Sequence, residues 1–169
     1  MKISEKLDTG PICNSYTLDI LDNENVVSLS ERLSLLAAEK ILDEIDSIID
    51  DKAIFKSQDD SSATYAKKIL KSEGKINWQD EAKKIIGKIN GLYPNSYFVY
   101  EGERYKVLKG EISTNIGTPG DVLSDKFEIG CQKGAIKILE IQREGKRPQK
   151  INEFIPGSQI KKGSNLKDA

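Results

Sequence analysis

Histidine is absent from this sequence of 169 residues. Its absence excludes Ser-His and Cys-His nucleophile pairs, histidine-ligated metals and histidine-based acid–base catalysis from anything that this chain does unaided. The two cysteines, Cys13 and Cys131, are too few for a disulfide framework or a four-ligand zinc site. We therefore expect two reduced thiols and no metal.

Long apolar runs are also missing. No stretch approaches the ~18 residues that a membrane span requires, and the opening residues 1–6 lack the apolar segment of a signal peptide. Hydrophobic residues make up 37% of the chain and charged residues 31%, a composition typical of a folded globular protein. These absences predict a cytoplasmic protein without a membrane partner.

Charge is distributed unevenly along the chain. Residues 1–62 contain 6 lysines and arginines against 14 acidic residues, a net charge of -8, whereas residues 63–169 contain 20 against 13, a net charge of +7. Such asymmetry indicates two parts with different partners, and the basic part is a candidate for binding a polyanion. A generic lysine-rich surface is the alternative.

Two helices are predicted. Ser28 and Glu31 have the spacing of a capping box at a helix start, and apolar residues then recur at helical spacing as Leu29, Leu33, Leu36, Ala37, Ile41, Ile45, Ile48 and Ile49. This stripe needs a covering sheet or other helices, which residues 1–27, with one predicted strand at 12–20, are too few to supply. The second helix is predicted from Asn77, as its cap, to Gly91.

Short strands follow the second helix, with turn residues between them. We predict them at residues 96–100, 104–112, 122–123, 127–131 and 136–142. Strands of this length and spacing favour a small barrel. Strand alternation predicts Arg104, Lys106 and Leu108 on one face, with Tyr105, Val107 and Lys109 on the other.

Several short motifs carry a resemblance to a known family. They are Leu7-Asp8-Thr9-Gly10-Pro11, Gln58-Asp59, Ala63-Thr64-Tyr65-Ala66, Ile76-x-Trp78, Gly120-x-Val122-Leu123 and Gln142-x-Glu144-Gly145-Lys146. In this order they resemble the methionyl-tRNA formyltransferase family over essentially the whole chain. The resemblance implies an α/β fragment that ends a Rossmann-like catalytic domain at residues 1–53, a linker at 54–75, and a mostly β, OB-like tRNA-binding barrel with one leading helix at 76–169.

The resemblance also implies an activity. The family transfers a formyl group from 10-formyltetrahydrofolate to the amino group of initiator methionyl-tRNA in translation initiation. Its catalytic set is an Asn, a His and the Asp of Leu-Asp-Thr-Gly, and only Asp8 has a counterpart here. Because Met1 coincides with an internal position of the family pattern, the Asn, the His and most of the folate pocket would precede it. We expect this chain alone to be inactive.

The basic second half supplies the candidate tRNA contacts. They are Lys67, Lys68, Lys71, Lys75, Arg104, Lys106, Lys146 and Arg147. Such residues would bind tRNA phosphates without reading bases, and we expect a monomer that binds no DNA. Tyr65, Trp78 and Tyr97 are candidates for stacking on bases, although core packing is the stronger prediction for Trp78 and a linker anchor for Tyr65.

Other interpretations stay open at this stage. Asp8-Thr9-Gly10 matches the core of the aspartic protease signature, but those enzymes need two such aspartates and one copy is present; a plain turn is the inert interpretation. A sugar-nucleotide formyltransferase shares both domains of the resemblance, and a free-standing RNA-binding module is a third possibility. Residues 92–96 are shorter than the corresponding family loop, which weakens any contact predicted from that loop.

Overall fold

The computed structural model describes residues 1–167, which fall into two compact units. Unit 1 consists of Met1–Leu21 and Ser28–Lys68, and unit 2 of Asp22–Val27 and the chain from Ile69 onward. Each unit is described separately below.

The main element of unit 1 is the helix α1, Val26–Ile49. It begins two residues before the predicted start, because the Asn25 side chain accepts a hydrogen bond from the Val27 N–H at 2.9 Å and so caps the first turn. The predicted capping box of Ser28 and Glu31 is therefore wrong, since Ser28 already lies inside the helix.

The apolar stripe of α1 is not buried. Leu33, Ile41 and Ile45 are 45%, 50% and 38% exposed to solvent, and the helix contains no buried residue. This agrees with the expectation that residues 1–27 cannot cover the stripe.

The strand predicted at residues 12–20 does not form. Only Ile12 makes a bridge, through two backbone hydrogen bonds with Lys56 at 2.8 and 2.9 Å. The segment contacts α1 through side chains instead: the Glu44 carboxylate accepts hydrogen bonds from Asn14 Nδ2 and from the Tyr16 hydroxyl, each at 2.6 Å. Alternating apolar residues predicted a strand here, but a strand needs a partner along its length.

Unit 2 is built on one antiparallel sheet. Its strands are β1 Tyr97–Tyr100, β2 Glu103–Ser113, β3 Glu128–Gly130, β4 Ala135–Arg143 and β5 Gln149–Lys150. The strand order is β1-β2-β4-β3, with β5 pairing β4 beside β3. The turn between β1 and β2 has Glu101 at φ 50° and Gly102 at φ 77°, the two positive φ values of the tight hairpin turn predicted there.

The predicted alternation along β2 fails at one point. Tyr105 and Val107 share one face as predicted, and that face is buried, but Lys109, predicted to lie on the same face, is exposed and Leu108 is buried instead. Register shifts between Val107 and Lys109 and between Lys109 and Gly110 mark a bulge, and beyond it the buried positions change from Tyr105 and Val107 to Leu108 and Gly110.

The helix α2, Ala82–Gly91, covers the sheet. It begins at Ala82, because Asn77 caps a preceding turn by accepting a hydrogen bond from the Gln79 N–H at 3.1 Å; its end at Gly91 was predicted correctly. A short helix α3, Ile151–Phe154, follows β5, and single 3-10 turns lie at Asp60–Ser62, Lys71–Gly74 and Ile155–Gly157.

The core of unit 2 lies between α2 and the sheet. Its fully buried members include Ile85, Ile89, Phe98, Val107, Ile129 and Ile138. Trp78 is 4% exposed, and its indole N–H donates to the Leu166 carbonyl at 3.1 Å, which confirms the prediction of core packing for this residue.

The sheet edges are extended by single bridges. Lys75 pairs with Tyr97 beside β1, and Val122 pairs with Ile129 beside β3. The predicted strand at 122–123 is thus reduced to one bridge. Unit 2 is a small antiparallel sheet with few helices. Within residues 1–167, no helix is both long and apolar enough to cross a membrane.

Candidate functional site

The turn that contains Asp8 is tightly constrained by backbone contacts. Asp8 has φ 57°, a left-handed conformation that aspartate and asparagine tolerate better than most residues. A side chain at Gly10 would place its Cβ 1.7 Å from the Lys2 carbonyl oxygen, so only glycine fits. The Lys2 N–H donates to the Pro11 carbonyl at 2.9 Å and closes the loop.

Gln58 holds this turn from fifty residues away. Its side-chain amide donates to the carbonyl oxygens of Asp8 and Gly10, at 2.8 Å each. The next residue, Asp59, accepts hydrogen bonds from Ser61 and Ser62, and those from Ser61 are the main cause that lowers the pKa of its carboxyl group. Two of the sequence motifs thus meet in one structure, with the Gln58 amide directed at the turn.

The Asp8 side chain is exposed. Its backbone is fixed by Gln58, and within residues 1–167 its carboxylate has no hydrogen bond or ion pair. The turn therefore presents a carboxylate at a fixed place on unit 1.

The candidate tRNA-binding residues are divided between the two units. Lys67 and Lys68 lie in unit 1, in an exposed segment without regular structure. Lys75 is exposed in unit 2, where its carbonyl accepts a hydrogen bond from Lys88 Nζ at 2.9 Å. The remaining five line two separate concave surfaces of unit 2.

The first of these, here called the Tyr97 surface, encloses about 620 Å³. Among its lining residues are Lys71, Tyr93, Asn95, Tyr97, Arg104, Lys106 and Glu144. The guanidinium carbon of Arg104 lies 4.3 Å from the centre of the Tyr97 ring, and Arg104 Nη1 lies 4.0 Å from Glu144 Oε1. Arg104 and Lys106 share this surface because they alternate with buried Tyr105 on β2.

The second, the Arg143 surface, encloses about 610 Å³ and includes Lys146 and Arg147 on its rim. Arg143 pairs with Glu103, which also accepts a hydrogen bond from the Tyr105 hydroxyl at 2.9 Å. The Arg143 contact, followed by that of Tyr105, lowers the pKa of the Glu103 carboxyl group, while burial raises the pKa of Tyr105 to about 12.

Sequence reasoning missed several of these side chains. Arg143 was not a candidate, because its proximity to Glu103 depends on the strand register that places Tyr105 opposite Arg143. Tyr93 and Asn95 belong to the loop that departs from the family pattern. Tyr65 was expected to anchor the linker; this expectation is wrong, because Tyr65 is 89% exposed.

Neither thiol nor carboxylate clusters suggest a metal site. In the part of the chain that the structure describes, no three His, Cys, Asp or Glu side chains are grouped so as to hold a metal ion. Cys13 and Cys131 are both free thiols, and burial raises the pKa of Cys131 to about 11, which keeps it protonated and unreactive.

The fold and the sequence together define the class of protein. The family described as "Formyl transferase, C-terminal domain" matches residues 68–159, and the chain belongs to this family. A curated methionyl-tRNA formyltransferase of Pelagibacter ubique is 55% identical over 98% of this chain. Those of Thermodesulfovibrio yellowstonii and Rickettsia canadensis are 39% and 36% identical over 96% and 99% of it.

This chain spans about half the length of those relatives, between 54% and 56%. Among solved structures, a HypX variant from Aquifex aeolicus matches 94% of this chain and 31% of its own, with a TM-score of 0.69 and 16% identity. HypX in complex with tetrahydrofolic acid gives the same TM-score, identity and share of this chain. At this identity the likeness concerns the fold alone.

Proposed function

We propose that this chain is the C-terminal part of a methionyl-tRNA formyltransferase, which transfers a formyl group from 10-formyltetrahydrofolate to the amino group of initiator methionyl-tRNA. The observation that carries the proposal is the 55% identity, over 98% of the chain, with a relative of that name. The reaction belongs to translation initiation, and we place the protein in the cytoplasm as a monomer.

The two units take different parts in this proposal. Residues 1–53 form the end of a Rossmann-like catalytic domain, residues 54–75 a linker, and residues 76–169 an OB-like barrel that folds alone. The exposed stripe of α1 supports the first assignment, since such a helix needs further structure to cover it. The bulged β2 and the bridges that extend both sheet edges support the barrel.

Asp8 is the catalytic residue that we assign to this chain. When the amine attacks the formyl carbon, negative charge develops on oxygen, and an Asn and a protonated His can stabilise it. A carboxylate beside that histidine orients it and raises its pKa. Because this sequence has no histidine, the histidine must come from polypeptide outside these 169 residues, and the chain alone transfers no formyl group. The HypX complex with tetrahydrofolic acid, on a similar fold, supports a folate-type donor.

The basic residues of the second half bind the phosphates of tRNA. The net charge of +7 over residues 63–169 supports this role, and the contacts we propose are Lys67, Lys68, Lys71, Lys75, Arg104, Lys106, Lys146 and Arg147. All but Arg104 and Lys106 are exposed, and those two are half-buried and line the Tyr97 surface. Phosphate contacts of this kind position RNA without reading its sequence.

The salt dependence of tRNA binding tests this proposal. If about five phosphates are neutralised, the logarithm of the association constant should fall against the logarithm of salt concentration with a slope on the order of −4. Replacing Lys67, Lys68 and Lys71 together by Ala should flatten the slope by roughly two to three units and weaken binding to all tRNAs alike.

A matched control removes three other lysines of the chain. Lys126, Lys133 and Lys162 are exposed and lie outside both concave surfaces, so their joint replacement by Ala makes the same change in charge. We expect a clearly smaller change in slope from this control. An affinity that ignores salt, or equal effects of the two triple variants, contradicts the proposed contacts.

A further inference from the structure

We propose that the Tyr97 surface is a binding site for one unpaired RNA base, which stacks on the Arg104 guanidinium while its phosphate contacts Lys71 or Lys106. This inference rests on the proposed function, since it assumes that unit 2 binds RNA. The proposed function includes only contacts with phosphates. The inference adds a contact between this surface and a base.

The stacking platform is already assembled in the structure. Tyr97 on β1 and Arg104 on β2 lie on neighbouring strands, with Val99 opposite Arg104, so the arginine reaches diagonally to the tyrosine. Its guanidinium carbon lies over the ring, 4.3 Å from the ring centre, and Arg104 Nη1 lies 4.0 Å from Glu144 Oε1. Because the Arg104 side chain remains 41% exposed, part of the guanidinium is accessible to a further planar group.

The charge and size of the surface also fit a nucleotide. Three basic residues, Lys71, Arg104 and Lys106, and one acidic residue, Glu144, line the surface, which gives it a formal net charge of 3 − 1 = +2. The volume of about 620 Å³ is within the range of small-ligand sites. Tyr93 adds a second ring, and the Asn95 side chain is exposed on the same surface, where an amide can pair with a base edge.

An unpaired base is favoured over a duplex by this geometry. Arginine planes and aromatic rings bind bases that are unstacked and accessible, whereas a duplex presents only its backbone and grooves. The Arg143 surface is less suited to an anionic nucleotide, because its three carboxylates, Glu101, Glu103 and Glu153, balance the charge of its three basic residues, Arg143, Lys146 and Arg147.

Fluorescence of 2-aminopurine tests the inference with the full 169-residue chain. The probe is an oligouridine of eight nucleotides with one central 2-aminopurine, and a blunt hairpin duplex with the same number of phosphates is the comparison. We expect binding of the probe to quench its fluorescence. Arg104→Lys keeps the charge but loses the planar platform, so it should weaken binding of the single strand by about tenfold and remove the quenching, and it should weaken duplex binding by a clearly smaller factor.

Variants of the ring provide a second, independent measurement. Tyr97→Leu should remove the quenching. Tyr97→Phe, which keeps a ring under Arg104, should retain it. Thermal unfolding shows whether each variant is folded; should Tyr97→Leu unfold, the charge-conserving substitution Arg104→Lys decides. RNA binding that is salt-dependent but unaffected by Arg104→Lys, without quenching, overturns the base site and leaves the proposed function standing. Absence of any RNA binding by the unmodified chain overturns both.

Discussion

At the scale of single residues, the structure shows how Asp8 is held. Sequence motifs pointed to Asp8 and to Gln58, but nothing in the sequence relates an amide at position 58 to two carbonyl oxygens in a turn near the start. That relation depends on tertiary contacts, here the two hydrogen bonds at 2.8 Å. The sequence could therefore indicate Asp8 as a candidate residue, but it could not predict the hydrogen bonds from Gln58 that hold the turn.

Asp8→Asn tests the proposed catalytic role. The substitution should be made in an enzyme that joins this chain to the preceding half of a methionyl-tRNA formyltransferase. We expect the fold to be kept, since asparagine tolerates the left-handed conformation of φ 57°. The kcat should fall steeply, because a neutral amide cannot stabilise a protonated histidine; the equivalent change in the well-known serine protease case costs about 10⁴-fold. A kcat within about threefold of the unmodified enzyme means that Asp8 only forms a turn.

Glu128 gives a prediction for pH dependence. Its carboxylate accepts hydrogen bonds from Ser113 and Ser124, each at 2.6 Å, and from Asn115 at 2.7 Å. The Ser113 contact, followed by that of Ser124, lowers the pKa of the carboxyl group below its ordinary value of 4.5. The resulting stabilisation is present above the ordinary carboxyl pKa and is lost as the pH falls through the lowered one.

Urea unfolding of Glu128→Gln measures this stabilisation. At pH 7 the variant should lose about 1 kcal/mol of unfolding free energy, and the difference from the unmodified chain should shrink as the pH is lowered below about 4. Asp125→Asn is the matched control, since Asp125 is exposed three residues away and should change stability by less than about 0.5 kcal/mol. A difference that stays constant between pH 7 and pH 3 contradicts the assignment.

At the scale of elements, turn residues predicted the sheet of unit 2 well. Glu101-Gly102 and the glycines between later strands mark strand ends to within one or two residues, because a turn with positive φ values restricts its sequence. The wrong predictions concern segments whose structure depends on contacts with another segment. The bulge at Leu108 depends on the pairing of β2 with β4, and the absent strand at 12–20 depends on a missing partner.

The packing of α2 on the sheet forms part of the core of unit 2. Ile89 is fully buried between the helix and the strands, so Ile89→Ala should leave a cavity and lower the unfolding free energy by roughly 3 kcal/mol. Ile116→Ala is the same chemical change at a side chain that is 87% exposed, and it should cost less than about 0.5 kcal/mol. Denaturant unfolding of both variants checks this; equal costs would mean that α2 does not pack as described.

At the scale of the whole molecule, charge and family resemblance carried most of the functional prediction. The resemblance is now supported by a family match over residues 68–159 and by relatives that align along nearly the whole chain. Sequence could not arrange the basic residues in space: three lie on the Tyr97 surface, two on the Arg143 surface, and three along the chain elsewhere. The grouping of Arg104 with Tyr97 needs the strand register.

The most direct test of the central claim is tRNA binding by a chain that lacks residues 1–53. That segment carries most of the negative charge of the first half and none of the proposed RNA contacts. Titration of labelled initiator tRNA at several salt concentrations compares the truncated chain, residues 54–169, with the full one. The account predicts that the truncated chain binds as tightly or more tightly, because an acidic segment has been removed. The salt slope should be unchanged, because none of the proposed phosphate contacts is lost. A truncated chain that is folded but binds tRNA tenfold more weakly would contradict it.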